Sequence, residues 1–289
     1  MKKLTLSIAA LFAVCTVSAQ ELVSKKGEPY LPVAGDYSIS IDATPFLDYF
    51  GNLFNNDGNT APTFEFLGNQ TIVGRYFVED KKAYRGILRI GLNSLSDKAM
   101  IGEDGATAPT FPNLPAMVED KRSNSNTNIA IGGGLEWRRG ATRLQGYYGA
   151  DAMIGFSTSN TSYTYGNAIK ENSSVAQIST NFGNNITQDT YGNSARVLSS
   201  KSGSTFMIGV RGFAGVEYFI LPKISFGGEF GWGIGFSSTG TSKVEIESTN
   251  GTTIGTQTIE TGGGSSFGLD TDRNSFLAPS GQFRANFYF

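Results

Sequence analysis

Eight segments of this chain alternate apolar and polar side chains with a period of two, and this alternation is the feature that most constrains its fold. In residues 83–93, for example, Tyr84 and Leu88 fall on one face and Arg85 falls on the other. This period is typical of a β-strand with one apolar face. The segments are 37–42, 70–78, 83–93, 127–138, 142–156, 204–220, 223–236 and 281–289. The sequence therefore predicts an all-β protein with eight strands.

The connections between these segments alternate strictly between short and long. The short ones are typical of hairpin turns and lie at 79–82, 139–141 and 221–222. The long ones are 43–69, 94–126, 157–203 and 237–280. Loops of that length are uncommon in compact soluble domains, whereas bacterial outer-membrane barrels combine short periplasmic turns with long extracellular loops. We therefore predict a transmembrane up-and-down antiparallel β-barrel of eight strands.

A soluble barrel or sandwich would also alternate, so the composition of each face matters. The polar face carries Gly, Arg, Glu, Gln and Asn, with Lys223 as its only lysine, whereas a sheet that faces water usually carries more lysine. Several aromatic residues lie close to the short turns, which resembles the interfacial girdle of a membrane barrel. They are Tyr76, Tyr84, Trp137, Tyr218 and Tyr288. Both observations favour the membrane barrel.

The beginning of the chain has the pattern of a secretory signal peptide. Two lysines precede an apolar run, and Val17-Ser18-Ala19 offers small residues for cleavage. We expect residues 1–19 to be removed, residues 20–34 to form a short periplasmic segment, and residues 35–289 to form the barrel. Removal would also eliminate Cys15, the only cysteine, so that neither disulfides nor thiol chemistry would remain.

The leader, the loop alternation and the tail "FRANFYF" together resemble the small outer-membrane β-barrels of Gram-negative bacteria, the OmpX-like and opacity-protein-like chains. The resemblance covers the whole predicted mature chain, although its motifs are patterns and not fixed residues. It implies a bacterial outer-membrane location, contact with outer-membrane lipid, and recognition by the barrel-assembly machinery. In this family the last strand carries the assembly signal, which here would be Phe283, Phe287 and Phe289.

The inward face of the predicted barrel carries many charged side chains. An eight-stranded interior is narrow enough to be filled by side chains, and buried charges must pair or meet water. We expect an ion-pair core that fills the barrel, and the alternative is a narrow polar path or a buried ligand site. The predicted cluster contains Arg75, Arg85, Arg89, Glu136, Arg143, Asp151, Arg211, Glu217 and Glu229.

The composition also excludes several kinds of chemistry. The chain contains no histidine, so neither Ser-His nor Cys-His nucleophile systems are available, and we expect no enzymatic activity. A net charge of −2 does not favour nucleic-acid binding. Residues 270–275 begin like a calcium loop but have Ser275 where glycine is needed and Gly281 where glutamate is needed. We therefore predict a solvated loop there, with no metal and no cofactor.

The long loops are the expected location of function. Segments 157–194 and 237–266 are rich in Asn, Ser and Thr, with Tyr interspersed in the first, which suits either a binding surface or a merely hydrated loop. Alternating runs at 244–246 and 253–259 could form a hairpin beyond the membrane. Segment 44–54 is apolar, and we predict a short helix there, with a strand extension as the alternative. The predicted role is structural or surface binding (adhesion) through these loops; the alternative is porin-like passage of small solutes.

Overall fold

The computed structural model of the protein describes residues 22–43, 71–172, 179–270 and 281–289. The predicted signal peptide, segment 44–54 and all but the first residue of segment 270–275 lie outside these ranges. The described chain forms one antiparallel sheet of thirteen strands. Their bounds are β1 Tyr37–Asp42, β2 Thr71–Glu79, β3 Lys82–Gly102, β4 Met117–Arg139, β5 Leu144–Thr164, β6 Ile186–Gln188, β7 Ser194–Lys201, β8 Thr205–Leu221, β9 Ile224–Thr239, β10 Ser242–Thr249, β11 Ile254–Thr261, β12 Gly264–Asp270 and β13 Gly281–Tyr288.

Eight of the thirteen strands close into a ring. Going round it, β1 is followed by β2, β3, β4, β5, β8, β9 and β13, and β13 pairs again with β1 from Ser38↔Tyr288 to Asp42↔Arg284. Every neighbouring pair is antiparallel, and no helix long and apolar enough to cross a membrane occurs in the described ranges. The predicted all-β antiparallel class is confirmed.

The strands are longer on one side of the ring than the sequence predicted. Strand β3 continues to Gly102, β4 begins at Met117, and β5 continues to Thr164, so β-strands occupy much of the predicted loops 94–126 and 157–203. These prolongations lie at the end of the ring opposite the short turns, which we call the upper end. Polar side chains occupy both faces of these prolongations, so no apolar–polar alternation marks them in the sequence.

Two ring strands, β8 and β9, and the neighbouring strand β12 also continue upward through breaks at a common level. Lys201 pairs with Lys243 above the break and Thr205 pairs with Thr239 below it, so β7 and β10 continue β8 and β9 in the same register. Strand β11 continues β12 in the same way, because β11 pairs with β10 above the break and β12 pairs with β9 below it, in the same register. We call β7, β10, β11 and the end of β5 the upper sheet. It contains the hairpin that the runs 244–246 and 253–259 predicted.

The breaks coincide with glycines, and we call Gly203, Gly240 and Gly263 the glycine crease. A side chain at Gly203 or at Gly263 would overlap the Gly240 carbonyl group. Glycine is therefore required there by close approach of the backbones. The crease is the level at which the ring wall becomes the upper sheet.

The outer face of the ring is an apolar belt. Within it, every outward side chain on five strands is aliphatic, aromatic or glycine, over the ranges 84–92, 129–137, 144–156, 206–220 and 224–236. The side chains are accessible, with Ile131 56%, Val210 57% and Trp232 50% exposed. A soluble monomer rarely exposes a contiguous apolar surface that encircles the molecule.

Aromatic rings border the belt at both rims. Near the short turns, Tyr37 lies 4.9 Å from Tyr76 and Trp137 lies 6.0 Å from Tyr148, measured between ring centroids. At the upper rim, Phe156 pairs in register with Phe206, and Phe236 pairs with Phe267. The prediction that Tyr288 belongs to the lower girdle was wrong. Its ring is buried inside the barrel because position 288 shares the inward face with Arg284 and Asn286.

Candidate functional site

The interior of the ring has room for charged side chains because glycines face many of them across neighbouring strands. Arg85 and Asp151 both pair with Gly134, and Glu136 pairs with Gly149. Likewise, Glu229 pairs with Gly215, and Glu217 with Gly227. A Cβ atom at Gly227 would lie 2.6 Å from the Cβ of Glu217. Each large side chain thus lies over the bare backbone of its neighbour.

Glu136 on β4 is the centre of one group of ion pairs. Its carboxylate lies 2.8 Å from Arg75 Nε, 3.1 Å from Arg85 Nη1 and 3.4 Å from Arg138 Nε. The side chain of Glu136 is fully buried, as are those of Arg75 and Arg85. Buried charges are tolerated only when they are paired in this way.

Glu229 on β9 is the centre of a second group, connected to the first through Arg85. Its carboxylate lies 2.9 Å from Arg85 Nη1, 2.8 Å from Arg211 Nη1 and 3.9 Å from Arg284 Nη2. Asp151 joins the same group at 3.3 Å from Arg85 and 3.6 Å from Arg211. The Arg85 guanidinium also lies 3.8 Å from the centre of the Phe213 ring, a cation–π contact.

Glu217 on β8 completes the network nearest the short turns. It pairs with Arg138 and accepts hydrogen bonds from Tyr288 Oη at 2.9 Å and from Asn286 Nδ2 at 3.0 Å. Ser225 Oγ donates a third, at 3.1 Å. The last strand therefore closes the ring through its inward side chains as well as through its backbone.

The structure brings seven of the nine predicted interior residues together: Arg75, Arg85, Glu136, Asp151, Arg211, Glu217 and Glu229. The other two lie apart from them. Arg143 stacks on Tyr30 at 3.6 Å, at the short-turn end, and Arg89 is half-buried higher on β3, with no ion pair to any described residue. Sequence reasoning left out Arg138, Arg284, Asn286 and Tyr288, although alternation places all four on the inward face.

Two apolar layers enclose the charged network. Toward the short turns lie Tyr30, Phe77, Ala83, Phe219 and Tyr288, all buried. Toward the upper end lie Val73, Ile87, Ala130 and Met153, none of them more than 4% exposed. The charged layer therefore lies between these two apolar clusters, of which the upper one comes from the adjacent strands β2, β3, β4 and β5.

Two of the predicted assembly residues, Phe283 and Phe287, lie on the outer face of β13, and the third, Phe289, directly follows this strand. Phe283 stacks on Phe226 with 6.0 Å between ring centroids, and Phe287 is half-buried. Phe289 is 70% exposed, and its backbone N–H donates to the Tyr37 carbonyl oxygen at 2.8 Å. All three thus face away from the charged interior.

The upper sheet has a small core of its own, formed by Ala195, Val197 and Ile246, with Tyr163, Val244 and Ile259 packed against it. Tyr165 lies beside this core, donates a hydrogen bond to the Val197 carbonyl oxygen at 2.6 Å, and packs against the Arg196 guanidinium at 4.3 Å. Burial raises the pKa of Tyr165 to about 12. Much of the predicted loop is thus a packed sheet.

A metal centre has no support in the described ranges, where no group of three or more His, Cys, Asp or Glu side chains could hold an ion.

No family model matches the chain, and no curated protein matches it. Among solved structures, the chain is similar to the outer membrane protein OprG from Pseudomonas aeruginosa at 9% identity and a TM-score of 0.29. That likeness covers 90% of this chain and 98% of OprG, but at this TM-score it supports no conclusion.

Proposed function

We propose that this chain is an integral β-barrel of the bacterial outer membrane with a non-enzymatic role. In this proposal the ring anchors the protein in the membrane, and the upper sheet is the surface that binds an extracellular ligand or an envelope partner. Outer-membrane lipid contacts the belt, and the barrel-assembly machinery recognises Phe283, Phe287 and Phe289.

The observation that carries the proposal is the uncharged apolar belt around a closed ring. A spanning sheet must satisfy all its backbone hydrogen bonds internally, which closure achieves. Its outer face must also be apolar over about 25 Å and bordered by aromatic girdles. The closed ring and the apolar belt, bordered by Tyr37, Tyr76, Trp137 and Tyr148 at one rim and by Phe156, Phe206 and Phe236 at the other, support the proposal on both points.

The interior supports an anchoring role better than passive transport. A conducting barrel needs a continuous aqueous path, and here the ion-paired centres Glu136 and Glu229 lie buried between two apolar clusters. The absence of histidine from the whole sequence supports a non-enzymatic role. The packed core and the tyrosines of the upper sheet support binding at that end, since rigid tyrosine-bearing surfaces lose little conformational entropy on contact.

The two tryptophans offer a direct test of membrane insertion. Both face outward, Trp232 within the belt at 50% exposure and Trp137 near the short turns at 36%. We expect Trp137→Phe, which retains Trp232, to be quenched most by lipids brominated deep in the acyl chain. The reciprocal variant Trp232→Phe should be quenched most by lipids brominated near the headgroup. The measurement is tryptophan fluorescence of the refolded protein in brominated vesicles.

Aqueous iodide is the matched control for these variants, because it reaches only residues outside the hydrocarbon. Strong iodide quenching of Trp232 together with no effect of any brominated lipid would contradict the membrane assignment. It would instead indicate a barrel in solution.

A further inference from the structure

A hollow of about 380 Å³ lies at the level of the glycine crease, where four neighbouring strands meet. Its lining includes Asn126, Asn128, Ser157, Ser202, Thr205 and Thr239. Asn126 and Asn128 belong to the same face of β4 as the buried Glu136, so the hollow opens on the inner side of the wall, above the apolar layer of Val73, Ile87, Ala130 and Met153. It has the size of a small-molecule site, for which about 300–1,000 Å³ is usual.

The crease accounts for the concave shape. Gly203 lines the hollow and has no side chain to fill it. Any Cβ there would overlap the Gly240 carbonyl group. The hollow is therefore a fixed consequence of close backbone packing.

One wall of the hollow is held by internal hydrogen bonds. The hydroxyls of Thr205 and Thr239 lie 2.9 Å apart. Ser202 Oγ donates to the Ser159 carbonyl oxygen at 3.1 Å and accepts from the Ser159 N–H at 2.9 Å. These bonds fix the hydroxyl positions of the β7–β9 side before any ligand arrives.

The opposite wall presents unused hydrogen-bonding groups. Asn126 and Asn128 form no side-chain hydrogen bond with any described residue, and they lie in register with Ser159 and Ser157 across the β4–β5 pair. An asparagine amide offers two N–H donors and a carbonyl acceptor. Two such amides, two residues apart on the same face of β4, match a ligand that carries several adjacent hydroxyls.

The lining of the hollow carries no charge, and this narrows the class of ligand that it can bind. All of its residues are Asn, Ser, Thr or Gly, so none is charged. A charged ligand would lose hydration there without gaining an ion pair, whereas a hydroxylated neutral ligand would exchange water hydrogen bonds for protein ones. We propose that the hollow is a binding site for a neutral saccharide. This proposal depends on the proposed function in one respect only: the hollow faces the outside of the cell if the upper sheet does.

The test is ligand-observed saturation-transfer NMR on the refolded protein, with maltose, lactose and chitobiose as neutral probes. Glucose 1-phosphate serves as the charged comparison. Amine-oxide micelles are required because glycoside detergents would compete for the site. We expect at least one neutral disaccharide to bind and the double variant Asn126→Ala/Asn128→Ala to weaken it by about tenfold, since it loses the hydrogen bonds of two amides. Asn113→Ala, an exposed change in the β3–β4 connection, should leave binding unchanged.

Three results would overturn the proposal: no neutral probe binds the folded protein, binding persists unchanged in the double variant, or glucose 1-phosphate binds more tightly than the disaccharides. The tryptophan quenching test separates this proposal from the membrane assignment. If the protein inserts but binds no saccharide, only the proposal of a saccharide site is overturned. A protein that binds saccharide but does not insert overturns only the membrane assignment.

Discussion

Replacing Glu136 with glutamine should lower the free energy of unfolding by about 3–5 kcal/mol, the usual cost of removing one partner from a buried ion pair. Glu136 lies within 3.4 Å of Arg75, Arg85 and Arg138. The described interior joins five arginines, the other two being Arg211 and Arg284, to four carboxylates. The neutral amide would leave five buried arginines facing three carboxylates. Urea titration of the refolded protein, followed by tryptophan fluorescence, measures the loss.

The matched control for Glu136 is Glu119→Gln in the upper part of β4. Glu119 forms an ion pair with Lys98 at 2.9 Å, but both side chains are largely exposed. Exposed pairs contribute roughly 0–1 kcal/mol, so this variant should unfold close to the wild-type midpoint. Equal midpoints for Glu136→Gln and Glu119→Gln would show that the interior network is hydrated and unimportant for stability.

Substituting valine for Gly149 should lower the free energy of unfolding by about 3 kcal/mol or more. Overpacking a core usually costs about 1–3 kcal/mol, so this loss would be at or above the upper end of that range. A Cβ atom there would overlap the Leu135 carbonyl oxygen and lie 2.5 Å from the Phe213 ring. Moving Phe213 would in turn disturb the Arg85 guanidinium stacked on it. The urea midpoint and the fraction of folded, heat-modifiable protein on an unboiled gel measure the effect.

Gly212→Val is the matched control for Gly149→Val. Gly212 lies on the outer face of β8, next in sequence to Phe213, and a Cβ atom there would meet nothing within 4 Å. Valine at that position should fold as well as wild type. If Gly149→Val also folds with an unchanged midpoint, Gly149 does not face the packed interior.

The strand positions within the ring could be predicted because one face of each strand is apolar there. In β8, for example, Phe206, Ile208 and Val210 alternate with Met207 and Arg211, and the outward set was read correctly. The upper parts of β3, β4 and β5 could not be predicted in this way. Polar side chains occupy both of their faces, and a period-two pattern disappears when neither face is consistently apolar.

The interior was predicted in part, for a different physical reason. Alternation identifies which residues face inward, but it does not give their height in the barrel. Arg143 was therefore grouped with Glu136 although it lies beside Tyr30, and the apolar layer formed by Val73 and Met153 was not foreseen. Height depends on strand stagger, which the register pairs define and a single sequence does not.

Tyr288 shows the limit of residue type as a guide. A tyrosine near a short turn suggested the membrane interface, whereas its position in the alternation indicated the interior. Its hydroxyl donates to Glu217 and accepts from Arg138 Nη2 at 3.1 Å. The period was the better guide because in a closed ring it determines which face a side chain occupies.

The most direct test of the account is the conductance of the refolded protein in a planar lipid bilayer, with folding verified by heat modifiability. Because the paired charges lie between two apolar layers, we expect insertion without steady unitary currents. A reproducible channel of defined conductance in the folded protein would contradict it. That result would mean that water passes both the layer of Phe77 and Phe219 and the layer of Val73 and Met153.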